Sequence, residues 1–136
     1  MTKWDKRFFD LAAMLAKWSK DPSTQVCCVL VDDHRRVVGV GYNGFPRGVD
    51  DPSERYDDSV RNAVLNSVGK TVGCTAYVTH PPCASCADLL IQAGVRRIVT
   101  LSPENLTGGI GWRFADSFAA AVTMFEEAGV ELKMLW

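Results

Sequence analysis

The chain has no apolar run of membrane-spanning length, no basic block, no acidic tail and no internal repeat. Without a stretch of about 20 consecutive apolar residues there is no candidate transmembrane helix. With a net charge of −1 and no basic block, binding of duplex nucleic acid through a broad positive surface is not expected. Met1 to Asp10 carries charges where a secretory signal needs an apolar block, so a cytoplasmic protein is expected. Hydrophobic residues make up 47% and charged residues 23%, and no linker or low-complexity segment divides the 136 residues, so one domain over 1–136 is expected. Histidine is scarce: His34 falls in a predicted turn and reads as solvated, and His80 precedes two prolines. The five cysteines are an odd number, and Cys27 and Cys28 are adjacent, which in a strand sends them to opposite faces. That argues against a disulfide framework and for reduced thiols with a metal-binding pair among them.

What the sequence does contain is organised around Tyr77-Val78-Thr79-His80-Pro81-Pro82-Cys83-Ala84-Ser85-Cys86 and the apolar run that follows. A strand must end at Pro81 and Pro82, which fix φ and donate nothing to a ladder. Cys83 and Cys86 then fall on one face of a first helical turn, where the dipole and free N–H groups favour thiolate. Two such thiolates form half of a tetrahedral zinc site. A bare C-x-x-C is shared with redox pairs and ribbon knuckles. Strand, proline, C-x-x-C and helix in succession are narrower and match one half of the zinc deaminase signature.

The remaining elements alternate. Trp4 to Ser19 predicts a helix with Phe8, Leu11, Ala12, Leu15 and Ala16 inward, and Asp21-Pro22-Ser23 stops it. Val26 to Val31 predicts a strand covered on both faces, paired through a turn at Asp32-Asp33-His34 with Val37 to Gly41. Gly41 to Gly48 is a shaped loop in which glycine lets backbone approach a ligand and Asn43 offers a donor and an acceptor. Val60, Ala63, Val64 and Val68 share a face of a second helix, with Ser59 as its candidate cap. Cys74 to Thr79 and Arg97 to Leu101 are strands, Arg113 to Ala128 is a helix, and Val130 to Leu135 is a last strand. The order α-β-β-α-β-α-β-α-β predicts an α/β fold with three α/β/α layers and a mixed five-stranded sheet, its pockets at strand ends and helix N-termini.

With Asp21-Pro22-Ser23-Thr24-Gln25-Val26, Gly41-Tyr42-Asn43-Gly44-Phe45-Pro46-Arg47-Gly48, Asn62-Ala63-Val64-Leu65-Asn66 and the cysteine stretch, the chain resembles the deoxycytidylate (dCMP) deaminases of the cytidine deaminase superfamily, particularly the small phage forms. The resemblance implies a cytidine-deaminase-like fold and zinc-dependent hydrolytic deamination of dCMP to dUMP, with a glutamate that is not a metal ligand moving the protons. It implies Zn2+ on Cys83 and Cys86, sugar contact by Asn43 beside Gly44, backbone from Thr79, His80, Pro81 and Pro82 for the pyrimidine amine, and Ser23, Thr24 and Ser85 toward the nucleotide end. It also implies a homo-oligomer, commonly a hexamer, with exposed Trp112 or Trp136 as candidate contacts, and dCTP or dTTP as effectors.

One family feature is absent. The His-Ala-Glu that precedes the stretch matching Arg61 to Asn66 is here Asp57-Asp58-Ser59-Val60, and the segment from Arg55 to Arg61 is shorter than the family pattern by about ten residues. No catalytic residue is therefore identified. Asp57 and Asp58 read as dipole partners of the second helix and Cys74 as core. The expected function is dCMP deamination impaired by this loss. The alternatives are a catalytically dead deaminase fold acting as a nucleotide-binding or subunit-pairing module, and a two-cysteine zinc knuckle completed by another subunit.

Overall fold

The computed structural model describes residues 2–21, 24–44, 59–102 and 115–135. Helix α1, Lys3–Ala16, opens on a capping box: Thr2 Oγ1 accepts from the Asp5 amide while the Asp5 carboxylate accepts from the Thr2 amide. The strands are β1 (Cys27–Val31), β2 (Val37–Tyr42), β3 (Thr75–Val78), β4 (Arg97–Leu101) and β5 (Glu131–Leu135). Helices α2 (Ser59–Asn66), α3 (Ala84–Gln92) and α4 (Ala115–Ala128) complete the elements. Among the described residues no helix is long and apolar enough to cross a membrane.

The strands lie in the order β2-β1-β3-β4-β5. β1 runs antiparallel to both neighbours, whereas β3, β4 and β5 are parallel and joined by helical crossovers. Helix α1 covers one face through Phe9, Ala12, Leu15 and Ala16, packed on Cys27, Val29, Val31, Tyr77 and Val99. The other three helices cover the opposite face, where Val60, Leu90 and Phe125 meet Cys28, Leu30, Val78 and Ile98. Each such fully buried side chain contributes about 1.5–3 kcal/mol relative to exposure. The adjacent cysteines of β1 thus serve opposite layers, as the alternation requires. This is the expected three-layer α/β/α arrangement on a mixed five-stranded sheet.

Two sequence expectations differ in detail. Helix α1 stops at Ala16, before Trp18, which stands 63% exposed against the edge of the Tyr42 ring. Val68, placed by periodicity on the inward face of α2, lies beyond the helix with φ 51° and is 81% exposed. Of the helix expected over Arg113 to Ala128, α4 carries Phe118, Ala121 and Phe125 buried, and Arg113 and Phe114 lie outside the described residues.

Candidate functional site

The residues singled out by the sequence gather at one end of the sheet, where β1 begins, β2 and β3 finish and α2 and α3 start. Open α/β sheets place their ligands at such strand ends. Past the last residue of β3, Thr79 prolongs the ladder: its amide donates to Cys27 O at 3.1 Å and its hydroxyl accepts from the Cys27 amide at 3.0 Å. His80 turns its Nδ1 onto Pro81 O at 3.0 Å. Pro81 and Pro82 are buried and hand the chain to α3.

Cys83 is the N-cap of α3, in extended conformation (φ −79°, ψ 175°), and its side chain makes no capping bond. The amide of Ala84 is instead satisfied by Ser117 Oγ, 2.9 Å away in the first turn of α4. Freed from capping, the Cys83 thiol lies 3.3 Å from the thiol of Cys86 and 3.1 Å from the Ser85 hydroxyl. Two sulfurs about 2.3 Å from a tetrahedral zinc stand about 3.8 Å apart, so a small side-chain rotation fits both to such an ion. The donor set matches as well, being two thiols at a helix N-terminus. Among the described residues no group of three His, Cys, Asp or Glu side chains converges on a metal position. His34 is exposed in the β1–β2 turn, and the buried Cys74 donates to Lys70 O at the far end of β3. Burial pushes the Cys27 thiol up to about 12. Asp57 and Asp58 lie outside the described residues. Val60, in the first turn of α2, is 2% exposed and packs in the same core cluster as Cys28 and Cys86.

Asn43 sits where β2 leaves the sheet. Its Oδ1 accepts from the Val26 amide at 2.9 Å, and its Nδ2 donates to Thr24 O at 2.8 Å and to Asp21 Oδ2 at 3.1 Å. Its backbone carbonyl accepts from Ser19 Oγ at 2.7 Å. Both amide hydrogens of Asn43 are thus engaged within the protein, and one lone pair of Oδ1 remains. Asparagine here fastens the end of α1, the approach to β1 and the exit of β2 to one another. Gly44 has open space where a Cβ would stand, while Ser23 and Phe45 to Gly48 lie outside the described residues. An Asn43→Ala variant is expected to lose about 1–3 kcal/mol, read as a lowered midpoint in urea, because the partly buried amide and carbonyl partners lose their bonds. An unchanged midpoint would show that the loops hold without it.

Sequence reasoning missed Ser117, Ser19 and the carboxylate of Asp21 as members of this end of the sheet. Asp21 had a local signal, since its Oδ1 accepts from the Thr24 amide in an Asx-type turn ahead of a proline. Ser117 had none, because its partner is 33 positions away.

Comparison with known proteins agrees with this geometry. The family model described as "Cytidine and deoxycytidylate deaminase zinc-binding region" matches residues 2–102. The uncharacterized deaminase of the luxG 3'region of Aliivibrio fischeri is 37% identical over 144 positions, covering 99% of this chain and 95% of that protein. Those 144 positions exceed the 136 residues here, so that relative carries residues this chain lacks. The deoxycytidylate deaminase of Homo sapiens is 32% identical over 96% of this chain and 79% of its own length. The dCMP deaminase from the cyanophage S-TIM5 shares the fold, with a TM-score of 0.77 in apo form at 20% identity, covering 99% of this chain and all of that one. In complex with dCMP and dUMP the same phage enzyme gives 0.76 at 19% identity, covering 99% of each chain. Sequence and fold thus agree, and the chain belongs to the cytidine and deoxycytidylate deaminase family.

Proposed function

We propose that this chain takes dCMP at the α2–α3 end of its sheet, holds Zn2+ on Cys83 and Cys86, and deaminates dCMP to dUMP only weakly. The observation that carries the site is the convergence of the two thiols at the start of α3, one residue beyond the Thr79 to Pro82 turn. Relatives named deoxycytidylate deaminase and the dCMP and dUMP held by the phage enzyme support the substrate. A zinc ion bound there would supply Lewis-acid activation of water.

The protein's own groups divide the remaining work. Backbone of Thr79 to Pro82 would face the exocyclic amine, the remaining lone pair of Asn43 Oδ1 would accept from a sugar hydroxyl, and Thr24 and Ser85 would serve the nucleotide end; Ser23, expected there with them, lies outside the described residues. Proton transfer is the missing part. Valine at position 60 has no titratable group, and general acid–base catalysis contributes about 10²–10⁴-fold. That buried valine also favours a second reading, a deaminase fold retained as a nucleotide-binding module. Either reading carries a cytoplasmic homo-oligomer of one-domain subunits; Trp112 and Trp136, the candidate contacts, lie outside the described residues.

Three measurements on the purified chain test the proposal. Bound zinc is expected in the protein and lost in a Cys83→Ser/Cys86→Ala variant. Calorimetry is expected to show heat with dCMP, and turnover should rise about a hundredfold or more when a His-Ala-Glu segment is inserted before Asn62. No heat with dCMP, dCTP or dTTP would remove the nucleotide site. Heat without any gain on insertion would leave the binding module.

A further inference from the structure

An open sheet leaves two edges of unpaired backbone. At β2 the side chains of Asn62 and Asn66 donate to the outward carbonyls of Tyr42 and Val40. At β5 no such cover is present among the described residues. The Glu131 amide donates to Arg96 O, toward β4, so strand alternation turns the N–H and C=O of Leu132 and Met134 outward. No described group bonds to either residue from that side. The side chains of β5 are sorted by face. Val130 and Leu132 pack against the core under α2, α3 and α4, and Met134, on the same face by alternation, is 47% exposed. Glu131 and Lys133 stand on the α1 face, ahead of the buried Leu135. Glu131 is 65% exposed although Arg97 lies 3.3 Å away, and Lys133 has no carboxylate in ion-pair range among the described residues. Lysine on an edge strand ordinarily discourages pairing. Here a glutamate two residues earlier on the same face makes it selective for one register.

We propose that a second copy of this chain pairs with β5 across its open edge, antiparallel, with Leu132 opposite Leu132 of the second copy. A two-fold axis normal to the sheet sets the two β5 strands antiparallel and keeps like faces on one side. Among the registers open to the outward residues, Leu132 opposite Met134 would bring the two Lys133 side chains face to face, where like charges repel. Leu132 opposite itself sets Glu131 of each copy against Lys133 of the other and so forms two opposite-charge pairs. On the other face it sets Met134 against Val130 of the second copy, and an apolar stripe through the two Leu132 side chains covers the exposed methionine. The two Leu132 residues exchange both of their backbone hydrogen bonds. The two five-stranded sheets then run on as one. This gives the homo-oligomer proposed above an interface. It rests on the uncovered edge and the charges along it, and not on the dCMP reading.

Light scattering on the purified full chain, without nucleotide, is expected to give a dimer or a larger even-numbered assembly. Lys133→Glu sets carboxylates against one another across the edge and should weaken the contact at least tenfold, seen as a smaller assembly at the same concentration. A changed charge can also act on the fold, so the register is read a second way. Residues directly opposite in a hydrogen-bonded antiparallel pair have Cα atoms about 5.5 Å apart, within reach of a disulfide. Under mild oxidation Leu132→Cys is therefore expected to link two copies through position 132, located by peptide mass analysis. Met134→Cys, whose position lies opposite Val130, is expected not to link through position 134. A monomeric parent would overturn both the interface and the homo-oligomer. An assembly unmoved by Lys133→Glu, or one that links through 134 and not through 132, would overturn this interface and leave the homo-oligomer standing. None of these readouts depends on heat with dCMP, so the interface and the nucleotide site fail separately.

Discussion

Replacing Asp5 by alanine is expected to cost about 3–5 kcal/mol and to lower the thermal midpoint by roughly 10 °C or more. Asp5 is 2% exposed and lies at the junction of α1 with the sheet. Its carboxylate receives Arg97 Nη1 and Nη2 at 2.7 Å each and the Tyr77 hydroxyl at 2.8 Å. Arg97 in turn reaches Glu131 at 3.3 Å, so one cluster joins α1, β3, β4 and β5. Alanine would leave the largely buried guanidinium without its bidentate partner, which costs far more than the pair contributes when intact. The hydrogen-bonded Arg97 guanidinium holds the Asp5 carboxyl well below the usual carboxylate range despite burial, and burial together with the carboxylate pushes the Tyr77 hydroxyl up. Because the folded state depresses the Asp5 pKa, its contribution is fully present above the unfolded carboxylate pKa, about 3.9, and is lost as pH falls below it. Urea midpoints between pH 5 and pH 2 should therefore fall steeply in the parent and less steeply in Asp5→Asn. Parallel slopes for the two proteins would remove Asp5 as the source.

This cluster also marks where sequence reasoning stops. Periodicity sets Asp5 among the charged residues away from the apolar stripe of α1, because its partner is 92 positions along the chain and no local pattern announces it. Local patterns do better where the physics is local. The unbroken apolar run of β1, the prolines that end β3 and the thiols at three-residue spacing are all decided within a few residues, and the structure realises each. The glycines that end α3 and α4 belong here too, with Gly94 and Gly129 at φ 82° and 73°. The candidate site lies between these cases. Its thiol pair was legible, but the internal engagement of Asn43 was not, since it depends on how three loops meet.

The second large effect is expected at Gly41, which sequence reading left as the start of a loop and which the structure places under α2. A Cβ on Gly41 would collide with Ala63 N and lie 2.5 Å from Ser59 O. A Cβ on Gly39 would lie 2.6 Å from Ala63 O. These obstacles are helix backbone, with no flexible side chain to give way. The close approach has a purpose at the sheet edge. Asn62 Nδ2 donates to Tyr42 O at 3.0 Å and Asn66 Nδ2 to Val40 O at 2.8 Å, so α2 covers outward carbonyls of the edge strand β2. Four helical residues rise about 6 Å and two strand residues about 6.8 Å, which is why asparagines four apart meet carbonyls two apart. Gly41→Ala must lift the first turn of α2, and a loss of about 3 kcal/mol, the upper end for overpacking, is expected in calorimetry. Gly44→Ala, with open space around its Cβ, should stay within about 0.5 kcal/mol of the parent. Equal midpoints for the two variants would show that α2 does not depend on the glycine contact. If Gly41→Ala folds, its affinity for dCMP should fall as well, because the displaced turn carries Val60, which shares a core cluster with Cys86. The position of that turn, and with it any proton-transfer group engineered there, is set from beneath by a residue that has no side chain.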